Sequence, residues 1–423
     1  LYVVQQKEMP MRLSSTVLAI SLGLPFAAQA QAPAEGTPPA AEAAPALAPT
    51  PATATAPVET VVTPTPAAPP PAAPAVAPPI AFGWEALVDA YYLYNFTGDP
   101  KTQGPVGRQF DTMANSFTLN YAKLGMHADT DWVTLRLDIG GGHTAAIING
   151  ANSGLTSGLA AGTSPETTAL YGNSFLVEQA YAEVKPEAHI SIDAGRFVTS
   201  ASAEVIESNR NWLYSRSFLF AGVPLLHTGL RINGALIGTI AAPELVLSLQ
   251  LVNGWNDDPD NNSDKTFGLN LTYTPANQGL TVAATTYIGK EAAVGGNTQA
   301  LIDAVVTKDI GNLSVGLNLD YLKNGTPYWF GVAGMGRFIL NDSFNVAARA
   351  EYISSKNGGY GGVNPTGTAA LYEFTGMGAW TVGKHYELRL EVRADMSDQN
   401  IFAKGATPRK NQVTGLLGAL AYF

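Results

Sequence analysis

From Glu387 to Asp395 the chain reads E-L-R-L-E-V-R-A-D, a strict alternation of charged and apolar residues. Glu387, Arg389, Glu391, Arg393 and Asp395 share one phase, and Leu388, Leu390, Val392 and Ala394 share the other. A strand turns its side chains over at every second residue, so this segment has one charged and one apolar face. A helix would scatter the same residues around its circumference. The period recurs. Val133, Leu135, Leu137 and Ile139 oppose Thr134, Arg136 and Asp138, and Leu313, Val315, Leu317, Leu319 and Tyr321 oppose Ser314, Gly316, Asn318 and Asp320. Sixteen strands are predicted, beginning near Trp84, Ser116, Trp132, Ser174, His189, Thr228, Glu244, Lys265, Gly279, Thr298, Leu313, Tyr328, Phe344, Leu371, Lys384 and Gln412. Between Phe175 and Glu183 the pattern is ambiguous, because either phase turns a polar group outward.

The connections also alternate, in length. Turn-forming residues make short links at Asp129–Asp131, Lys185–Glu187, Ala241–Pro243, Pro275–Gln278, Asp309–Asn312, Asn341–Ser343 and Val382–Gly383. Longer loops separate them at 96–114, 143–172, 199–226, 255–264, 289–297, 322–327, 354–370 and 396–411. An even number of strands, joined by short turns at one end and long loops at the other, describes an outer-membrane barrel. A soluble sandwich has no reason to sort its loops by parity. The expected fold class is therefore all-β, a transmembrane antiparallel β-barrel with its apolar phase in lipid.

Composition supports this and bounds the rest. The chain has 423 residues, a net charge of −10 and no cysteine. The acidity argues against nucleic acid as a partner, and the missing thiols exclude disulfide scaffolds and thiolate metal sites. Residues 1–30 read as a signal peptide with translation expected to start at Met11: Arg12 precedes the apolar run Val17–Phe26, and Ala28-Gln29-Ala30 supplies a small-x-small cleavage site. The run is roughly half the length a spanning helix requires. Residues 31–80 are mostly Ala, Pro, Thr and Val and read as a disordered periplasmic linker. The barrel domain is expected over 81–423.

Residues 195–231 read GRFVTSASAEVIESNRNWLYSRSFLFAGVPLLHTGLR. Gly195-Arg196-Phe197, Glu204–Ser208, Tyr214–Ser217 and His227–Arg231, with Glu178–Tyr181 ahead of them, resemble the signature of the OmpL-like beta-barrel porins. Ser200-Ala201 departs from that pattern, where a proline and a bulkier residue are usual. The resemblance implies a pore in the bacterial outer membrane and supplies no substrate. Phe423 on the last strand fits the terminal aromatic by which such barrels engage the assembly machinery.

These readings converge on a porin that passes small hydrophilic solutes or ions. The third loop, about 199–226, is expected to fold inward as a constriction carrying Glu204, Glu207, Arg210 and Arg216; a pairing of Glu207 with Arg216 that merely holds the loop is the alternative. Expected pore-wall charges are Arg136, Asp138, Arg196, Arg231, Asp320, Arg337, Arg349, Glu351 and the ladder Glu387, Arg389, Glu391, Arg393, Asp395. No cofactor is expected. Asp258, Asp260, Asn262 and Asp264 place oxygens at alternate positions as a calcium loop would, but the central Gly and closing Glu are missing. A non-conducting structural or adhesive barrel is the alternative function, and a rim hydrolase around His143 is a third; no GxSxG or HExxH motif supports it. Expected partners are outer-membrane lipid, the assembly machinery and the permeating solute, and a homotrimer is compatible with the pattern.

Overall fold

The computed structural model describes residues 80–98, 104–150 and 174–423. The expected signal peptide, and the expected linker up to residue 79, lie outside the described residues. Sixteen antiparallel strands close into a barrel. They are β1 (Ala81–Asn95), β2 (Ser116–Asp129), β3 (Val133–Gly141), β4 (Phe175–Glu187), β5 (Ile190–Val198), β6 (Leu226–Thr239), β7 (Ala242–Val252), β8 (Thr266–Tyr273), β9 (Leu280–Gly289), β10 (Gln299–Ile310), β11 (Leu313–Asn324), β12 (Tyr328–Asn341), β13 (Phe344–Lys356), β14 (Thr368–Val382), β15 (Tyr386–Ser397) and, after a small hairpin of β16 (Phe402–Lys404) and β17 (Thr407–Arg409), β18 (Asn411–Tyr422). Sequence neighbours pair all the way round, and β1 pairs with β18, from Leu87↔Tyr422 to Asn95↔Thr414, to close the cylinder. Closure leaves no edge with unpaired N–H and C=O groups, as a bilayer demands.

The alternation fixes which face meets lipid. On β15, Leu390 and Val392 are 64% and 54% exposed, whereas Glu391 and Arg393 are each 1% exposed. The same division holds on β8, where Phe267, Leu269, Leu271 and Tyr273 face out and Thr266, Asn270 and Thr272 are buried. An apolar band outside and polar groups within is the arrangement of a membrane barrel.

The ambiguous fourth strand is settled by a bulge. Asp138 pairs with Gln179, but the next residue, Ile139, pairs with Val177, so Glu178 is the extra residue. A bulge reverses the phase of a strand. Leu176 and Glu178 therefore point inward before it, and Gln179, Tyr181 and Glu183 after it. A second bulge on β2 turns both Asn120 and Tyr121 inward, opposite Asp89 of β1.

The barrel is far from empty. In the first loop Phe110 and Arg108 are buried. In the second, helix α1 (His143–Gly150) buries His143 through Ile148. The third loop buries Trp212, Leu213 and Tyr214, and its short helix α2 (Phe218–Ala221) buries three of its four residues. Tyr360 of the seventh loop donates to the Phe218 carbonyl at 2.8 Å. These groups form an apolar core enclosed by a polar wall, the reverse of what lies outside.

Candidate functional site: the third loop on the barrel wall

The third loop lies along the inner wall, and the wall charges hold its backbone. Glu351 accepts the N–H groups of Phe218 and Leu219 at 2.8 and 2.6 Å. Glu391 accepts those of Tyr214 and Ser215 at 2.7 and 3.2 Å. In the other direction Arg349 donates to the Ser215 carbonyl at 2.9 Å, Arg393 to that of Arg216 at 2.5 Å, and Arg389 to those of Ser208 and Leu213 at 2.9 and 3.2 Å. The carboxylates satisfy loop donors and the guanidinium groups satisfy loop carbonyls. A backbone carried into a barrel must find such partners, because a buried peptide group without one is costly.

This changes the reading of the ladder on β15. Its residues face inward as the period predicts, but the third loop contacts Arg389, Glu391 and Arg393 and the first loop contacts Asp395, and all five are nearly inaccessible. Their remaining atoms pair with one another and with adjacent strands: Arg389 with Glu387 at 2.5 Å, Arg393 with Asp395 at 2.7 Å, and Asp395 with Gln412 at 2.7 Å and Arg108 at 3.5 Å.

The four charges of the loop are distributed as follows. Glu204 accepts from Arg349 at 2.7 Å and from the Ser217 N–H at 2.9 Å. Glu207 contacts Lys123, and Arg210 contacts Glu85. Arg216 serves the loop itself: it donates to the carbonyls of Val205 (3.1 Å), Tyr214 (2.5 Å) and Ile206, and to Ser208 Oγ (3.2 Å). It also lies 5.2 Å from the ring centroid of Phe110. Glu207 thus pairs with Lys123 and Arg210, and Arg216 with backbone, in place of the Glu207–Arg216 pairing considered above.

Lys123 is the hub of a network the sequence reading missed. Its ammonium lies 2.8 Å from Glu178, 3.0 Å from Asp138 and 3.8 Å from Glu85, besides Glu207. Arg136 joins it through Asp138 at 2.6 Å and Glu85 at 2.5 Å. Both Lys123 and Glu178 were readable as inward residues, had the bulge been placed. Tyr214 has the largest reach. Its hydroxyl donates to Asp89 of β1 at 2.6 Å and accepts from Asn120 of β2 at 3.2 Å. Its ring lies against Gly418 of β18, where an added Cβ would fall 2.6 Å from a ring carbon.

The other wall residues lie apart from the loop's anchors. Arg231 pairs with Asp193 at 2.6 Å and stacks on Phe197, 4.4 Å from its centroid. Asp320 sits directly across from Asp303 and accepts from Asn318 at 3.2 Å. Arg337 lies 5.9 Å from the ring centroid of Trp212. Arg196 reaches Asp258 at 3.3 Å. Asp260 contacts Lys265, Asp264 lies 3.3 Å from Lys290, and Asn262 accepts the Asp264 N–H at 2.7 Å, so cationic side chains and backbone occupy the residues weighed as a calcium loop. Among the described residues no group of three or more His, Asp or Glu is arranged to hold a metal. His143 shares a 2.6 Å hydrogen bond with Thr112.

At the long-loop end, Asp257 and Glu291 converge over Gly254; a Cβ there would lie 2.8 Å from a carboxylate oxygen of each. Glu291 accepts from Trp255 N–H at 2.7 Å and Thr266 Oγ1 at 2.6 Å, and Asp257 from Asn261 at 3.0 Å. Burial, with Glu291 and Asp260 nearby, pushes the Asp257 carboxyl up to about 6. Burial also raises Glu291.

A closed, charge-lined barrel with an inward third loop defines an outer-membrane porin of bacteria. The chain belongs to the family described as "Putative beta-barrel porin-2, OmpL-like", which matches residues 81–423. No curated protein matches the sequence. Solved structures share the fold at low identity. An anion-selective porin from Comamonas acidovorans aligns with a TM-score of 0.55 at 11% identity, covering 82% of this chain and 100% of that one. The outer membrane channel DcaP of Acinetobacter baumannii aligns at 0.54 and 12%, covering 81% and 97%. The trimer form of OmpT, an outer membrane protein of Vibrio cholerae, aligns at 0.50 and 13%, covering 81% and 99%.

Proposed function

We propose that this porin is a passive, non-enzymatic channel for small hydrophilic solutes or ions, narrowed by its third loop. The observation that carries the reading is the seating of residues 204–219 on the inner wall through Arg349, Glu351, Arg389, Glu391 and Arg393. A loop held at so many points is a fixed constriction, and fixed charges in a narrow lumen filter ions by sign and size. The short turns then face the periplasm and the long loops the cell exterior. The reading extends to assembly: Phe423, which pairs with Ala86 through backbone hydrogen bonds of 3.0 and 3.2 Å, is the residue offered to the assembly machinery, and the OmpT trimer form supports a homotrimer.

The test is a planar-bilayer recording of the purified full chain, alone and with residues 204–216 deleted. Stable current steps that enlarge on deletion support the reading; steps of unchanged size would remove the loop from the pathway. The packing of α1, Phe110 and Tyr360 against the third loop favours a second reading, a barrel closed by its own loops, which silent recordings would support.

A further inference from the structure

Beneath the tip of the third loop, toward the short-turn end, lies a small pocket lined by Asn209, Arg210, Trp212, Arg337, Asn345 and Arg389, with Asn211 and Glu387 completing it. Two of its donors are buried without a partner: the Nε–H of Arg337 and the indole N–H of Trp212. Both residues are more than nine-tenths buried, at 8% and 6% exposure. Buried donors are paired in nearly all folded proteins, so two orphans on one pocket call for an acceptor. The Trp212 ring packs on Gly316 of β11, where an added Cβ would lie 3.3 Å from it.

The charge around the pocket indicates the sign of the missing acceptor. Arg337 makes no ion pair among the described residues, unlike every other arginine of the lining: Arg210 is held by Glu85 and Glu207, and Arg389 by Glu387. Asp309 and Glu387 are near enough to act on Arg337, but each already accepts elsewhere, Asp309 from Ser314 at 2.6 Å and Glu387 from Arg389. The pocket has room for about one water-sized particle, which suits a monatomic ion better than a carboxylate or phosphate. A neutral water can accept from both donors, but it brings no charge to a guanidinium whose neighbouring carboxylates are engaged elsewhere, whereas an anion brings both acceptor and charge.

We propose that this pocket is a binding site for a monatomic anion, chloride under physiological conditions, held by the Arg337 guanidinium and the Trp212 indole N–H. The unpartnered Oδ1 of Asn209 requires its carboxamide to rotate and offer the amide to the ion instead. Seated between the loop tip and β12, the ion ties Trp212 to Arg337 where no direct polar bond does. The site deepens the channel reading, since it lies inside the barrel, but it does not require current to flow.

The test is the NMR linewidth of chloride in solutions of the detergent-folded full chain, with gluconate replacing chloride to keep ionic strength constant. Wild type should broaden the signal saturably. Arg337→Gln should weaken chloride binding by at least about tenfold, as loss of a charged hydrogen-bond partner does. Trp212→Phe, which keeps the ring and removes the donor, should weaken it by a few fold. Arg409→Gln, an exposed charge on the hairpin of the last loop, should leave it unchanged. If Arg337→Gln fails to fold, Trp212→Phe carries the comparison. Broadening that is absent, or equal in wild type and both pocket variants, would mean that only water fills the pocket and would overturn the proposal. Because no membrane is involved, a silent bilayer recording would refute the channel and leave this site standing, and a flat linewidth would do the converse.

Discussion

Arg349, on the barrel wall, donates to Glu204, in the third loop, at 2.7 Å, and both side chains are almost wholly shielded from solvent. The same guanidinium holds Glu373 at 2.9 Å, so a wall arginine and two carboxylates form one buried unit. Breaking a buried pair by removing one partner leaves an uncompensated charge and costs about 3–5 kcal/mol. Arg349→Ala is therefore expected to destabilise the barrel by about that amount in urea unfolding followed by tryptophan fluorescence. It should also free the loop, seen as new proteolytic cleavage between residues 204 and 219. Cleavage and stability unchanged from wild type would show that Arg349 does not hold the loop.

Lys123 makes a second anchor of the same polarity, a wall cation holding the loop carboxylate of Glu207. Lys123→Met should leave Glu178, Asp138 and Glu207 facing one another without their common cation. The expected loss is again about 3–5 kcal/mol. Adding Glu178→Gln to Lys123→Met should recover part of it, because the doubly altered site has one fewer buried charge to compensate. A double variant no more stable than the single one would contradict the network.

The fourth loop should respond to pH. The Asp257 carboxyl binds its proton more tightly in the folded loop, at about 6, than an unfolded carboxyl does. Between about pH 4 and pH 6 the folded form thus holds more protons, and loop stability falls as pH rises through that window. Glu291, raised by its own burial, acts in the same direction. Hydrogen exchange across residues 253–264, corrected for intrinsic rates, should show stronger protection at pH 5 than at pH 7.5, and Asp257→Asn should remove most of the difference. Greater protection at pH 7.5 would reverse the sign and refute the argument.

The outer face offers a direct test of membrane orientation. Leu390 lies near the middle of β15 and is 64% exposed. Leu390→Arg should cost about 2–4 kcal/mol when the protein is folded into lipid vesicles, the penalty of a cation at the bilayer midplane. A change near zero would place this face in water.

The barrel itself was legible because one physical rule, the two-residue period, acts on every strand independently. All sixteen expected strand starts fall within three residues of the observed ones, from Trp84 against Ala81 to Gln412 against Asn411. Where an extra residue interrupts the period, as at Glu178, local pattern is insufficient, and only the pairing of Asp138 with Gln179 reveals the bulge. The candidate site was less legible. The period correctly turned Arg349, Glu391 and Arg393 inward, but whether such a charge meets water or a peptide group depends on a loop more than a hundred residues away. Nothing near Arg393 in sequence specifies the Arg216 carbonyl. Nor does anything near Trp212 mark its indole as an orphan donor, since its surroundings come from β11, β12 and β15.

Tyr214 reaches across the line where the first and final strands of the cylinder are joined, with its hydroxyl on Asp89 and its ring on Gly418. Before those two strands meet, the tyrosine has only half a berth. Full seating of this side chain is thereby conditional on ring closure: a sheet still open along one side can grip the loop through β13 and β15 but leaves the tyrosine half surrounded.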